Sequence, residues 1–157
     1  MTVLETSRAS ARTRPLRVVF PELGDDERVA EAARILETDG LAHPMGLPDP
    51  TPEQMGALVE GRGMKEAIAK RMLNKSLYRA AAMVAAGEAD VMVAGADSPT
   101  RRVIEAASIA IGLDEGVHMP SSFFLMCFPD GRELIFADCA VNVSPNSDEL
   151  LSIAMAS

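Results

Sequence analysis

Tryptophan is absent from this 157-residue chain, and aromatic residues make up only 4% of it. Stacking platforms for nucleic-acid bases are therefore scarce. Positive charge is in deficit: 15 Lys and Arg stand against 23 Asp and Glu, a net charge of −8. That balance excludes broad electrostatic binding to nucleic acid. It does not exclude a basic pocket for one small anion, because net charge says nothing about a single cleft. The two cysteines, Cys127 and Cys139, are too few for a disulfide framework. The two histidines, His43 and His118, lie far apart and share no metal-ligand spacing with the cysteines, so no metal site is read. No apolar run approaches the ~20 residues that span a bilayer, and no signal-peptide core opens the chain. Neither GxGxxG nor a Walker A pattern occurs. Together these absences point to a cytoplasmic, reducing setting, without a membrane or nucleic-acid partner.

What is present is a foldable α/β pattern. Hydrophobic residues make up 48%, and a chain of this length buries roughly 68–70% of its unfolded surface. Residues 1–15, rich in Ser, Thr and Arg, read as a disordered tail. Residues 16–157 read as one region. LRVVF at 16–20 is a short strand ended by Pro21. Asp25 and Asp26 supply an N-cap and an acidic first turn, Val29, Ala32, Ala33 and Leu36 follow at helical spacing, and Gly40 closes the helix. Residues 43–52 hold four of the ten prolines and read as a loop. Thr51-Pro52-Glu53-Gln54 resembles a capping box, and helices are expected to Gly61 or Gly63, over 65–73 and over 77–86.

DVMVAG at 90–95 has the pattern of a buried strand running into a glycine. Ser98-Pro99-Thr100 then opens a helix that ends at Gly112. Residues 122–128 and 133–138, joined by Pro129-Asp130-Gly131, read as a hairpin. Asn146-Ser147-Asp148-Glu149 is a second capping box, and its helix reaches Ser157 without a stop signal, which suggests that something follows. The expected architecture is a three-layer α/β/α fold with a mixed, mainly parallel sheet.

Three constellations can carry chemistry. Gly95-Ala96-Asp97-Ser98-Pro99-Thr100 lies at a strand end and a helix start, where backbone N–H groups and the helix dipole favour an anion. Ser98 and Thr100 add hydroxyls, and Arg101 or Arg102 adds charge. The same residues also read as an ordinary helix cap, and Asp97 opposes an anion. Ser121 and Ser122, two adjacent hydroxyls before a core strand, are candidate oxyanion or phosphate donors, or simply a turn. Asp138 and Asn142 leave the return strand as orienting and hydrogen-bonding groups. Cys139 between them has no local base, and reads as a small hydrophobe before a nucleophile.

These residues resemble the phosphate acetyl/butyryl transferase (phosphotransacetylase) family. The resemblance is carried by Val19-Phe20-Pro21-Glu22 with Asp25-Asp26-Glu27-Arg28-Val29, by Gly87-Glu88-Ala89-Asp90 leading to Val93-Ala94-Gly95-Ala96, by Ser121-Ser122-Phe123-Phe124-Leu125-Met126, and by Phe136-Ala137-Asp138-Cys139-Ala140-Val141-Asn142. It covers roughly residues 16–157.

The resemblance implies transfer of a short acyl group between coenzyme A and inorganic phosphate. It implies acyl-CoA and phosphate as small-molecule substrates, with no tightly bound cofactor. Ser98, Thr100, Ser121, Ser122, Asp138 and Asn142 would line the phosphate side, and catalytic residues stay unassigned. Leu23 looks like an insertion, and residues 44–50 are short where the family has a further strand and helix. The family's C-terminal motif of Ser, Arg and Asp has no matching position here, although its Asp is the proposed base for the CoA thiol. The chain thus reads as an acyltransferase or a piece of one, in a homo-oligomer or with a complementing chain. The other reading is a catalytically inactive truncated homologue that binds an anion or CoA, or serves as an interaction module.

Overall fold

The computed structural model describes residues 2–117, 119–139 and 141–156. His118, and Ala140 within the last motif, lie outside the described residues. The chain divides into two compact units, Thr6–Gly112 and Met1–Glu5 with Leu113–Ser157. Helix α1 (Val3–Thr13) stands where the sequence suggests a disordered tail. A reciprocal cap starts it: the Glu5 amide donates to Thr2 Oγ1 at 3.3 Å, and the Thr2 amide donates to the Glu5 carboxylate at 2.9 Å. None of its residues is buried.

In the larger unit, β1 (Leu16–Val19) is followed by α2 (Glu27–Thr38) and β2 (Ala42–Met45). Strand β2 falls in the segment that the prolines mark as a loop. Pro44 is tolerated because β2 is an edge strand of the order β2-β1-β3. Helix α3 (Pro52–Gly56) runs into a π-helical turn over Ala57–Gly61. Helices α4 (Glu66–Leu73) and α5 (Ser76–Ala85), strand β3 (Val91–Met92) and helix α6 (Thr100–Ala110) complete the unit. The three strands are parallel: Val18 pairs with Pro44 and Val91, and Val19 with Met45 and Met92.

Alternation along β1 builds the layers. Val18 and Phe20 point to one face and pack with Ala42, Val29 and Leu36, the stripe of α2. Val19 points to the other face and packs with Ala80 and Met83 of α5. Helices therefore cover both faces of the parallel sheet. β3 is shorter and more exposed than a buried strand, because as an edge strand it has a neighbour on one side only. A separate helical core joins Leu58, Ala69 and Leu73 to Ala81, Ala82, Ala106 and Ala110. Small alanines at that seam let α5 and α6 approach closely.

The second unit holds β4 (Phe123–Cys127), β5 (Glu133–Ala137) and α7 (Ser147–Ala156). The two strands pair antiparallel as a sheet of their own, Phe124 opposite Phe136. The α/β class stands, with its parallel and antiparallel parts in two sheets. All ten hairpin residues are exposed, Phe124 by 61%, although the apolar run reads as a core strand. Helix α7 begins with the expected reciprocal cap. The Asp148 and Glu149 amides donate to Asn146 Oδ1, and the Asn146 amide donates to the Glu149 carboxylate.

Candidate functional site

Parallel strands converge on a defined place for a ligand. β2 lies on one side of β1 and β3 on the other, so the chain changes direction between β1 and β3. Ligands of open α/β sheets bind in the crevice outside the strand carboxyl ends at such a point. Here the crevice is formed by the turn after β1 (residues 21–26) and the loop after β3 (residues 94–99).

The turn after β1 grips that loop. Glu22 Oε1 accepts the Gly95 amide at 3.1 Å and the Asp97 amide at 3.4 Å. Arg28 Nη2 donates to the Ala96 carbonyl at 3.1 Å and to the Asp26 carboxylate at 2.6 Å. Asp26 in turn caps α2 by accepting the Arg28 and Val29 amides. The Arg28 side chain is the first reason why the Asp26 carboxyl is held down at about 2. Burial opposes it, and the two amides reinforce it. Two of the backbone N–H groups read from the sequence as an anion nest thus already hold a carboxylate.

Ser98, the next residue of interest, borders two clefts of opposite sign. One, of about 340 Å³, is lined by Glu22, Asp25, Asp26 and Asp97 together with Ser76 and Ser98. The other, of about 800 Å³, is lined by Lys75, Arg101 and Arg102 against the single carboxylate Glu105, with Tyr78 and Ser98. The packed alanines of α5 and α6 bring the first turns of both helices to this basic cleft.

The first turns of α5 and α6 contain no acidic residue. Cations replace them there, against the usual preference of a helix N-terminus. An anion held between them satisfies both helix ends and the side-chain charges. Pro99 is the N-cap of α6, and its side chain makes no capping hydrogen bond. Thr100 opens α6 and is exposed. Tyr78 donates its hydroxyl to Glu105 at 3.1 Å, and Lys75 Nζ lies 5.4 Å from its ring centre. Burial first, then the bond to Glu105, raises the Tyr78 pKa.

The remaining predicted residues meet in the second unit. Asp138 Oδ1 accepts the Ser122 amide at 3.2 Å and its hydroxyl at 2.9 Å. Oδ2 accepts the Asn142 amide at 2.7 Å and its side-chain amide at 2.9 Å. Asn142 also donates to the Pro120 carbonyl, and the Ser122 hydroxyl accepts the Cys139 amide at 2.9 Å. Burial works to raise the Asp138 pKa, but the combined hydrogen bonds from Asn142 and Ser122 outweigh it and lower it. Ser121 is half-buried beside them. The thiol of half-buried Cys139 donates to the Phe136 carbonyl at 3.1 Å. Glu22, Arg28, Lys75 and Tyr78 escaped sequence reasoning as site residues. The one local signal was a cation at each helix start where an acid belongs.

The arrangement defines an α/β protein with a basic cleft at the starts of two helices, and comparison with known proteins gives the family. Residues 49–157 match the family model described as phosphate acetyl/butaryl transferase. A phosphate acetyltransferase from Paracoccus denitrificans is 33% identical, over 99% of this chain and 56% of its own length. One from Nitratidesulfovibrio vulgaris is 34% identical, over 92% of this chain and 25% of its own. The crystal structure of a phosphotransacetylase from Streptococcus pyogenes superposes with a TM-score of 0.84 at 27% identity, over 98% of this chain and 56% of that one. The chain belongs to the phosphate acetyl/butaryl transferase family. It spans about half the length, or less, of these relatives. The Paracoccus alignment runs over 178 positions, more than the 157 residues here, so that relative carries residues without a counterpart.

Proposed function

We propose that the chain handles the phosphate and coenzyme A of a phosphate acyltransferase, for the reaction acyl-CoA plus phosphate to acyl phosphate plus CoA. The observation that carries this reading is the basic cleft, where two acid-free helix starts present Lys75, Arg101 and Arg102 beside Ser98 in a chain of net charge −8. In this reading Ser98 and Thr100 contact phosphoryl oxygens with the help of the arginines. Family resemblance assigns Ser121, Ser122, Asp138 and Asn142 to phosphate handling on the second unit, with Asp138 orienting Ser122 and Asn142. In the direction of CoA acylation the thiolate attacks the acyl-phosphate carbonyl, the C–O bond breaks, and phosphate leaves. A base takes the thiol proton beforehand. No residue of this chain is assigned as that base, and the exposed apolar hairpin supports assembly as a homo-oligomer or with a complementing chain. No tightly bound cofactor is required in this reading. Among the described residues no helix is long and apolar enough to cross a membrane.

One observation favours a second reading, that of a catalytically inactive homologue that binds an anion or CoA. Both oxygens of Asp138, the one carboxylate among the predicted site residues, are filled by donors from Ser122 and Asn142, so it is not placed to take the thiol proton.

The test is phosphate-dependent release of CoA from acetyl-CoA and butyryl-CoA, with binding of CoA and phosphate measured by calorimetry. Ser98→Ala and Arg101→Ala are the controls. Turnover that the controls abolish supports the transferase. Binding without turnover supports the inactive homologue, and no binding overturns both. A monodisperse monomer by light scattering overturns the homo-oligomer.

A further inference from the structure

We infer that Glu22 is a positioning residue for the basic cleft: it serves as a built-in anion for the loop after β3 and so sets where an external anion binds. The inference rests on the reading of that cleft as the ligand site. Glu22 is only 8% exposed, and a buried carboxylate is costly unless it is hydrogen-bonded. Its partners are the Gly95 and Asp97 amides, 73 and 75 residues away along the chain. Between them the Ala96 carbonyl accepts from Arg28. Three consecutive loop residues are thus held through N–H, C=O and N–H by two side chains of the β1–α2 segment. Gly95 sits at φ +117°, a conformation that L side chains rarely adopt, so its amide is aimed at Glu22 by a backbone only glycine takes readily.

Two consequences follow for the site. First, the grip ends one residue before Ser98, so it determines where that hydroxyl and the start of α6 stand. Second, the nest amides are occupied, and their side of Ser98 is walled by Glu22, Asp25, Asp26 and Asp97. An incoming anion is repelled there and directed to the side of Lys75, Arg101 and Arg102. Glu22 therefore selects the face of the loop that receives the ligand.

One oxygen, Oε1, accepts both amides, so Glu22→Gln keeps the grip and removes the charge, whereas Glu22→Ala removes both. The experiment uses the full chain and reads two quantities: amide hydrogen exchange at Gly95 and Asp97, and calorimetric affinity for CoA and for inorganic phosphate. Glu22→Ala is expected to speed exchange at both amides up to roughly tenfold, the factor carried by an ordinary hydrogen bond, and to weaken CoA binding by a similar factor. Glu22→Gln is expected to restore protection and to bind CoA at least as tightly as the parent, since one repulsive charge is gone. General destabilisation does not produce that split between two variants at one position. Unchanged exchange in Glu22→Ala overturns the inference, as does Glu22→Gln binding as weakly as Glu22→Ala. If the parent chain binds neither probe, the cleft reading fails, while the exchange data still decide whether Glu22 holds the loop.

Discussion

Ser122 presents both its amide and its hydroxyl to one oxygen of Asp138, at 3.2 and 2.9 Å. The other oxygen is taken by the amide and side chain of Asn142. Every bond to this carboxylate is donated to it. Asp138→Asn is therefore not conservative: its NH₂ group would face an N–H donor, and one pair of bonds is lost. The Asp138 pKa is lowered in the folded state, so its contribution is present above the unfolded value near 3.8 and is lost as pH falls below it. The expected result is that protection of the Asn142 amide from exchange disappears on acidification through that range. In Asp138→Asn it is already reduced at neutral pH. Ser122→Ala should have the milder effect, since its amide still donates.

Arg17 and Asp90 lock the start of β1 to the residue before β3. Asp90 accepts the Arg17 amide at 2.8 Å, Nε at 3.2 Å and Nη2 at 2.7 Å. The side-chain bond first, then the amide, holds the Asp90 carboxyl down at about 2. A depressed pKa means stability that is present above about 3.8 and fades as pH falls towards about 2. Asp90→Asn should unfold earlier in urea at pH 7, and its deficit against the parent should shrink between pH 4 and pH 2. A deficit that stays constant with pH contradicts this role.

Arg62 closes the far end of α6, donating to the Ile109 carbonyl at 3.0 Å and to the Ser108 carbonyl at 3.2 Å. It lies where a side chain on Gly112 would project: a Cβ there would meet Arg62 Nη1 at 2.5 Å, at a φ of +88°. Gly112→Ala both strains the backbone and displaces the guanidinium. A loss of roughly 1–2 kcal/mol is expected. In Arg62→Ala the same substitution should cost less, because the obstructing group is gone. Denaturation midpoints of the four-member cycle test this coupling.

Ala106 is fully buried in the seam with Ala81 and Ala82. Ala106→Leu should cost about 1–3 kcal/mol through overpacking. It should also weaken CoA binding at the cleft, because α6 must move away from α5. Ala106→Gly, which leaves the seam open, should lower the unfolding midpoint with less effect on binding. Equal losses of affinity in both variants contradict the dependence of the cleft on helix spacing.

Sequence alone determined the elements whose signals are local. The α2 cap at Asp26, the α7 capping box, the hairpin turn and the starts of α3 and α6 all depend on groups within a few residues of one another, and those were legible. The SSFFLM and FADCAVN runs carried the family for the same reason. The tertiary structure decided what depends on partners far along the chain. Pro44 reads as a loop residue until β2 is placed at an edge, where its missing N–H costs no ladder bond. Helix α1 reads as a tail because its segment is rich in Ser, Thr and Arg and buries no residue. The 95–97 amides read as an open nest until Glu22, more than 70 residues away, is folded against them. Lys75, Arg101 and Arg102 are separate surface charges in the sequence. Only the packing of α5 on α6 makes them one basic cleft, because electrostatic focusing depends on distance in space and not along the chain.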